Sequence, residues 1–336
     1  MRYMSTHKRV VRGERIHETS EERVSEQELT KKAAEISIER VETEFLVPTI
    51  EHFVETAQVR MLKDRVKLWI KVGYSPHIVG PTGSGKTILA MQVAKEMGRP
   101  TVWINGDDQM TTSDLIGGYS EMEAESVRDR FIHNVMVSMD RTKFKWIDNP
   151  LTLACRNGYT LVYNEFSRTK PEANNILLSV LEEHILELPT MFGEERYIKV
   201  HPDFNVIFTS NSIEYAGVHM PQDALLDRMV HIYMDYYDFD TELKIVQVHA
   251  GISPREAKKV VKTVRTIREN MPEVNKPGTR SEIMISQGLR AKNGYSKEDL
   301  TQIYTDVLLS KIGNSKEFFE NKNLIKDILA KTYEDA

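Results

Sequence analysis

Residues 80–87, with the sequence Gly-Pro-Thr-Gly-Ser-Gly-Lys-Thr, constrain the fold of this chain more than any other feature. They match the pattern G-x-x-x-x-G-K-[ST]. An apolar run at 74–79 precedes them, and residues 87–97 have apolar side chains at helical spacing before Gly98 and Pro100. This combination predicts a phosphate-binding P-loop, because glycines let backbone N–H groups converge on an anion that the positive end of the helix also attracts.

The side chains of the P-loop have expected roles. Lys86 is expected to pair with the β- and γ-phosphates of a nucleotide such as ATP, and the Thr87 hydroxyl to bind Mg²⁺. The alternative is an ordinary glycine-rich turn between a strand and a helix, which the flanking pattern disfavours. The predicted phosphate-binding residues are Gly80, Pro81, Thr82, Gly83, Ser84, Gly85, Lys86 and Thr87.

Length and composition are those of an ordinary globular protein. The 336 residues, of which 40% are hydrophobic, suffice for one α/β domain and a smaller companion. No uninterrupted apolar stretch approaches the roughly 20 residues that cross a bilayer, and residues 1–15 are basic and polar, without an apolar signal core. We therefore predict a cytoplasmic protein that does not bind membranes.

Charge and cysteine content exclude several functions. The formal net charge of −5 argues against a general nucleic-acid binder, for which a basic face is expected, although a local basic patch stays open. Cys155 is the single cysteine, which excludes an internal disulfide and any site built from several cysteines. A buried packing role is expected for it.

Residues 1–46 differ from the rest of the chain, because they are rich in charge and contain no aromatic residue beyond Tyr3 and Phe45. A basic stretch precedes an acidic one, and Ser25 with Glu28 forms a capping-box pattern before a weakly amphipathic segment. We predict a charged N-terminal arm, partly helical or disordered. It is either a docking arm for a partner or neighbouring subunit, or a solvated tail.

From Val47 onwards strand and helix patterns alternate, which predicts an α/β fold with a parallel sheet covered on both faces. The predicted strands are short, apolar and flanked by polar or turn residues, as buried parallel strands are. They are residues 77–80, 101–105, 160–164, 205–211 and 229–234. Ligands of such sheets bind at the carboxyl ends of the strands.

Polar side chains at two of these strand ends have the chemistry for nucleotide hydrolysis. Glu165 follows the third strand, and a carboxylate there is suited to orient and polarise the water that attacks a γ-phosphate. Asn211 closes the fourth strand, and its amide can bind the same water or a phosphate oxygen without adding charge. The alternative for Glu165 is a surface carboxylate.

Several longer runs extend the pattern beyond the P-loop. They are an apolar run ending in a carboxylate at 161–165, Asn211, Leu-Leu-Asp-Arg at 225–228, and phrases at 112–118, 130–134, 148–152, 168–175 and 214–219. In these features residues 53–240 resemble an AAA+ ATPase core of the MoxR type, and most closely the gas-vesicle protein N (GvpN) family. The resemblance implies an AAA+ P-loop core with a five-stranded parallel sheet flanked by helices, plus a small helical lid.

The resemblance also implies roles for three arginines. In AAA+ assemblies the nucleotide lies between subunits, and Arg228 matches the arginine finger that contacts the neighbour's phosphate; the alternative is a salt bridge to Asp227 or another carboxylate. Arg280 resembles the sensor-2 arginine of the lid, which contacts the γ-phosphate in the same subunit. Arg168 either faces the neighbouring subunit or has a structural role at a helix start.

One residue departs from the family pattern. Where Walker B usually has Asp then Glu, this chain has Asn164 then Glu165, so a neutral amide replaces the carboxylate near Mg²⁺. An amide still accepts a hydrogen bond from a metal-bound water but does not offset the metal's charge, and losing a charge-assisted bond costs on the order of 1.5–3 kcal/mol. We expect nucleotide binding to be retained, with a higher Mg²⁺ requirement or slower turnover.

Two further segments have family interpretations. Residues 186–200 alternate with period two around a glycine-containing turn, which predicts a β-hairpin. In MoxR-type ATPases an insert here projects from the ring and can touch the substrate; a purely structural hairpin is the alternative. Beyond Asp240 the chain is predicted to be helical and resembles the AAA+ lid, so the predicted domains are 1–46, 47–240 and 241–336.

The resemblance implies an ATP-hydrolysing homo-oligomer that assists the assembly or maturation of gas vesicles through shell or accessory proteins, in the cytoplasm or on the vesicles. Catalysis is assigned to Glu165, Asn211 and Arg228, nucleotide binding to the P-loop and Arg280, and Mg²⁺ binding to Thr87 and Asn164. Two alternatives stay open: a MoxR-type chaperone for another client, such as a metalloenzyme, and a nucleotide-gated structural component with little turnover. The acidic charge balance disfavours a DNA-remodelling ATPase.

Overall fold

The computed structural model describes residues 47–128, 138–191, 195–211, 219–271, 276–292, 294–309 and 315–334. The predicted N-terminal arm, the phrase at 130–134, most of the phrase at 214–219 and the turn of the 186–200 hairpin lie outside these ranges. None of the helices within them combines the length and hydropathy that a bilayer span requires.

Helices and strands alternate through the first part of the chain, and helices alone form its C-terminal part. The helices are α1 (Ala57–Lys71), α2 (Lys86–Glu96), α3 (Thr112–Ile116), α4 (Pro150–Asn157), α5 (Pro171–Asn174), α6 (Ile176–Glu182), α7 (Asp223–Leu226), α8 (Phe239–Ala250), α9 (Pro254–Asn270), α10 (Thr279–Lys292), α11 (Lys297–Leu309) and α12 (Ser315–Glu334). The strands are β1 (Ser75–Gly80), β2 (Thr101–Asn105), β3 (Gly117–Arg128), β4 (Ser138–Asp148), β5 (Thr160–Asn164), β6 (Ile185–Glu187), β7 (Tyr197–Lys199), β8 (Asn205–Asn211) and β9 (Met229–Tyr233).

A five-stranded parallel sheet in the order β2-β5-β8-β1-β9 confirms the predicted α/β fold. Gly80 at the end of β1 is in register with Asn211 at the end of β8. Likewise, Asn105 at the end of β2 is in register with Asn164 at the end of β5. The carboxyl ends of these four strands therefore meet at one edge of the sheet, beside the P-loop that follows β1.

Successive residues of the central strands face two different hydrophobic cores. In β5, Leu161 and Tyr163 pack in one core and Val162 in the other, and in β8 the same alternation separates Phe208 from Ile207. All five side chains are fully buried. Burial on both faces explains why these strands are nearly continuous apolar runs in the sequence.

Two antiparallel hairpins accompany the central sheet. β3 pairs with β4, and this hairpin was not predicted; a signal that could have found it is the alternation of glutamates with Met122 and Ala124. β6 pairs with β7, as predicted for 186–200. Leu186 and Ile198 of the second hairpin lie in the first core, so this face of the hairpin is structural.

The C-terminal helices form the predicted lid. Val264, Ile285 and Tyr304, from three different helices, are fully buried in a core of their own. Asp238 caps α8 by accepting a hydrogen bond from the backbone of Thr241, and the predicted domain boundary after Asp240 falls within the first turn of this helix.

Candidate nucleotide-binding site

The P-loop joins β1 to α2 with a backbone that depends on its glycines. Gly83 and Gly85 have φ angles of 81° and 95°, which residues with a side chain rarely adopt. A Cβ atom on Gly80 would lie 1.9 Å from the carbonyl oxygen of Met234, so this position also requires glycine. Since α2 begins at Lys86, the positive end of the helix adjoins the loop.

The Lys86 side chain is buried beside the loop. Its Nζ donates hydrogen bonds to the carbonyl oxygens of Gly80 and Pro81 at 3.0 and 2.8 Å and to Asn211 Oδ1 at 3.0 Å. Burial lowers the pKa of Lys86 from 10.5 to about 8; Glu165 opposes this shift and Arg280 adds to it. An anionic phosphate in the loop would favour the charged form of Lys86 and raise its pKa again.

Asn211 connects Lys86 to Glu165. Because an ammonium group only donates, the oxygen of the Asn211 amide faces Lys86. The Asn211 NH₂ group therefore faces Glu165, with Nδ2 lying 3.0 and 2.8 Å from the two carboxylate oxygens. Glu165 has a left-handed backbone with φ 52° and ψ 38°, which is uncommon outside glycine and is found most often at functional sites.

Asn164 contacts the hydroxyl that is predicted to bind Mg²⁺. Its Oδ1 accepts hydrogen bonds from Thr87 Oγ1 at 2.7 Å and from Thr209 Oγ1 at 2.8 Å, and its Nδ2 donates to Asn105 Oδ1 at 2.7 Å. Hydroxyl and amide oxygens suit a hard cation, so these residues fit Mg²⁺. Within the described ranges no group of three or more His, Cys, Asp or Glu side chains could bind a metal ion.

A cavity of about 290 Å³ lies between the P-loop and the lid. Its polar end is lined by residues 82–87 together with Glu165, Asn211 and Arg280. The remainder is lined mainly by apolar and aromatic residues that were not predicted, among them His52, Phe53, Val54, Tyr237, Ile245 and His249. A phosphate-binding end and an apolar end match the two ends of a nucleotide.

The six residues just named come from three separate parts of the chain: the segment before α1, the link between β9 and α8, and the lid helix α8. The rings of His52 and His249, which the sequence separates widely, lie edge to face with centroids 6.3 Å apart. No spacing rule connects such residues. The signal available in the sequence is their position at the two ends of the predicted core, where a lid must meet it.

The three arginines lie in different surroundings. Arg280, near the start of α10, lines the cavity together with the P-loop. Arg228 is not among the residues that line it. Its Nε donates a hydrogen bond to Glu182 Oε2 at 2.9 Å. Within one subunit Arg228 therefore forms a salt bridge to a carboxylate, which is the alternative to the arginine-finger role. Arg168 is exposed in the 3-10 turn after β5. The functional roles of all three stay predictions.

Comparison with known proteins extends the similarity across most of the chain. Residues 77–229 match the family described as AAA domain (dynein-related subfamily). The gas vesicle ATPase GvpN of Haloferax mediterranei is 50% identical over 284 residues, which are 84% of this chain and 81% of that protein. The gas vesicle ATPase GvpN1 of Halobacterium salinarum is 52% identical over 275 residues, 82% of this chain and 79% of that protein.

A solved structure supports the fold independently. NtrX from Brucella abortus, in complex with ADP, has a TM-score of 0.50 and 18% identity, over 91% of this chain and 70% of that one.

The parallel sheet, the P-loop and the helical lid define an AAA+ ATPase, which binds and hydrolyses ATP. Half of the aligned residues are identical to those of the first relative over more than four fifths of the chain. The chain belongs to the gas vesicle ATPase GvpN family.

Proposed function

We propose that this protein hydrolyses ATP at the interfaces between neighbouring subunits and uses the resulting movement to assist the assembly or maturation of gas vesicles. The observation that carries the proposal is the separation of two arginines. Arg280 lines the cavity of its own subunit, whereas Arg228 is paired with Glu182 outside it. A permanently charged guanidinium that does not line its own site is suited to complete a neighbour's.

Within one subunit, the described residues supply a base and the groups that position it. Glu165 is proposed to accept the proton of the attacking water, and its hydrogen bonds to Asn211 fix the direction of its carboxylate. Lys86 would exchange its backbone carbonyl partners for phosphate oxygens. Thr87 and Asn164 would bind Mg²⁺, which when bound neutralises charge on the phosphates.

The lid is proposed to convert hydrolysis into movement. Because α10 carries Arg280 at its start, a contact between this arginine and the terminal phosphate would join the lid to the core. Departure of that phosphate would remove the contact and let the lid move.

The vesicle part of the proposal comes from the relatives, which are named gas vesicle ATPases. Shell or accessory proteins of the vesicle are the proposed partners, and the cytoplasm or the vesicle surface is the proposed location. Deletion of the gene should abolish or reduce vesicles, and the wild-type gene but not Lys86→Ala should restore them. Normal vesicles after deletion would favour another client, such as a metalloenzyme.

A nucleotide-gated component with slow turnover is a second candidate, because the Thr87 and Asn164 donors are neutral. Phosphate release by the wild type, Lys86→Ala and Glu165→Gln separates the two. A wild-type rate well above both variants supports the motor. Equal background rates in all three support the slow component.

Mixing two inactive variants tests whether sites are shared. A Lys86→Ala subunit has a defective nucleotide pocket of its own but still carries Arg228. An Arg228→Ala subunit has an intact nucleotide pocket but lacks the guanidinium that its neighbour needs. A mixture should regain part of the wild-type turnover, because Arg228 of one subunit completes the pocket of another. Lys86→Ala mixed with Glu165→Gln is the control and should stay inactive, since both changes lie in one pocket. Full activity of Arg228→Ala alone would refute the shared site.

A further inference from the structure

The Asn164 amide could present either its oxygen or its NH₂ group to Thr87, and the surrounding hydrogen bonds determine which. The backbone N–H of Glu165 lies 3.2 Å from Thr209 Oγ1. A backbone N–H only donates, so the Thr209 oxygen accepts there. The Thr209 hydroxyl also has a hydrogen to donate, and it donates to Asn164 Oδ1, 2.8 Å away. Because Thr209 is fully buried, an NH₂ group in the place of this oxygen would be unfavourable, since it could not accept the hydrogen.

Asn105 is the hydrogen-bond partner of the NH₂ group of the Asn164 amide. The two residues are in register at the ends of the neighbouring strands β2 and β5. Asn164 Nδ2 lies 2.7 Å from Asn105 Oδ1, so the NH₂ group donates to a carbonyl oxygen on the side away from Thr209. The same orientation places Asn164 Oδ1 2.7 Å from the Thr87 hydroxyl.

This orientation matters for cation binding because the two ends of an amide are chemically opposite. A cation beside Thr87 is attracted by a carbonyl oxygen and repelled by an NH₂ group. A carboxylate at position 164 would not need to be oriented, since both of its outer atoms are oxygens. An asparagine at this position does need it: its oxygen accepts a hydrogen bond from Thr209, and its NH₂ group donates one to Asn105.

We propose that Asn105 is a positioning residue that holds the Asn164 amide with its oxygen towards Thr87, so that a divalent cation carried by the nucleotide meets an oxygen donor. The inference rests on the proposed use of Mg²⁺ at this site. It makes a specific demand: the importance of Asn105 depends on the amide at position 164 and disappears when that residue is a carboxylate.

A double-mutant cycle tests this demand with the full chain, its variants being Asn105→Ala, Asn164→Asp and their combination. Mn²⁺ is titrated into the ADP-bound proteins and followed by its electron paramagnetic resonance signal. Asn105→Ala should weaken Mn²⁺ binding by about fivefold when Asn164 is present, the loss expected for one neutral hydrogen bond, and by less than about twofold in the Asn164→Asp background. Asn105→Asp keeps an acceptor for the NH₂ group and should bind Mn²⁺ at least as well as the wild type.

Two further measurements separate positioning from structure. ADP affinity in EDTA and the thermal unfolding midpoint should be unchanged by Asn105→Ala, because Asn105 is exposed. Asn105→Ser, whose side chain is too short to contact Asn164, should repeat the result of Asn105→Ala. Equal weakening in both backgrounds, or none when Asn164 is present, would overturn the inference. A wild-type protein that binds ADP but no Mn²⁺ would instead overturn the proposed metal site, and this inference with it.

Discussion

Lys86 is the residue whose protonation responds most directly to what the P-loop binds. Its pKa is lowered to about 8 by burial, so near pH 8 about half of the free protein has a neutral lysine there. A polyphosphate would raise this pKa, and nucleotide binding should then take up close to half a proton per site near pH 8. Below about pH 7 the uptake by this group should vanish, because Lys86 is already charged.

Calorimetry of ADP binding in buffers of different ionisation enthalpy measures that uptake. Lys86→Arg is the matched control, since its guanidinium stays charged at every accessible pH. The difference between wild type and Lys86→Arg should therefore be close to half a proton near pH 8, increase as the pH is raised above 8 towards the pKa of the nucleotide-bound lysine, and be almost absent at pH 6.5. The same proton uptake in both proteins would show that another group titrates.

Asn164 is the residue at which this chain departs from the Walker B pattern. Asn164→Asp should raise ATPase activity at low Mg²⁺, because a carboxylate keeps the acceptor for Thr87 and Thr209 and adds negative charge. A charge-assisted bond is worth on the order of 1.5–3 kcal/mol, or roughly ten- to a hundredfold in apparent Mg²⁺ affinity. Steady-state rates across a Mg²⁺ titration measure the effect. Identical titration curves for the wild type and Asn164→Asp would contradict the explanation that the added charge strengthens Mg²⁺ binding.

The site residues that could be predicted from the sequence are those that directly follow, or close, a strand of the parallel sheet. Glu165 and Asn211 could be placed near Lys86 from sequence, because parallel strands end at one edge of their sheet and the P-loop begins there. His52 and His249 could not, because they line the cavity from segments on opposite ends of the core. Their contact depends on how the lid packs, which no local pattern encodes.

At the scale of elements, the burial of a strand determines how clearly its sequence pattern identifies it. β5 and β8 are enclosed on both faces, so their apolar runs identify them. The β6–β7 hairpin buries one face and shows period-two alternation. β3 and β4 pair with each other in a two-stranded sheet separate from the five central strands. In the sequence, residues 121–125 alternate glutamates with Met122 and Ala124, so this hairpin lacks the apolar run by which the central strands were predicted.

The lid helices are joined by charged side chains that water barely contacts. Arg268 on α9 lies 2.8 Å from Glu242 on α8 and 3.1 Å from Glu282 on α10, and both carboxylates are fully buried. Burial, with Glu242 beside it, raises the pKa of Glu282. Since α10 also carries Arg280, this network fixes the helix that delivers an arginine to the nucleotide cavity.

Arg268→Ala should lower the free energy of unfolding by about 3–5 kcal/mol, because it leaves two buried carboxylates without their shared partner. Arg265→Ala is the control: Arg265 pairs with Glu242 as well, but about a third of its side chain is exposed and its loss should cost less. Urea denaturation followed by circular dichroism gives both values. A loss for Arg268→Ala no larger than that for Arg265→Ala would show that the buried network contributes little.

At the scale of the whole molecule, Arg228 has one observed partner, Glu182, and one proposed partner, the nucleotide of a neighbouring subunit. In one subunit it is paired with Glu182, whose side chain is 58% exposed. Exposed ion pairs are worth about 0–1 kcal/mol, whereas a guanidinium bound to phosphate forms stronger, often bidentate, hydrogen bonds. The intramolecular pair is therefore weak enough to be exchanged for the proposed contact with a nucleotide on a neighbouring subunit.

This exchange predicts that nucleotide promotes assembly. The mass of Glu165→Gln, in which hydrolysis is slowed, should be larger with ATP and Mg²⁺ than without nucleotide, because each bound phosphate adds a contact between subunits. Sedimentation velocity measures the change. Arg228→Ala should bind ATP normally but show a smaller shift, and Lys86→Ala should stay at the nucleotide-free mass. A mass that nucleotide leaves unchanged would contradict a site shared between subunits, even if each subunit still binds ATP.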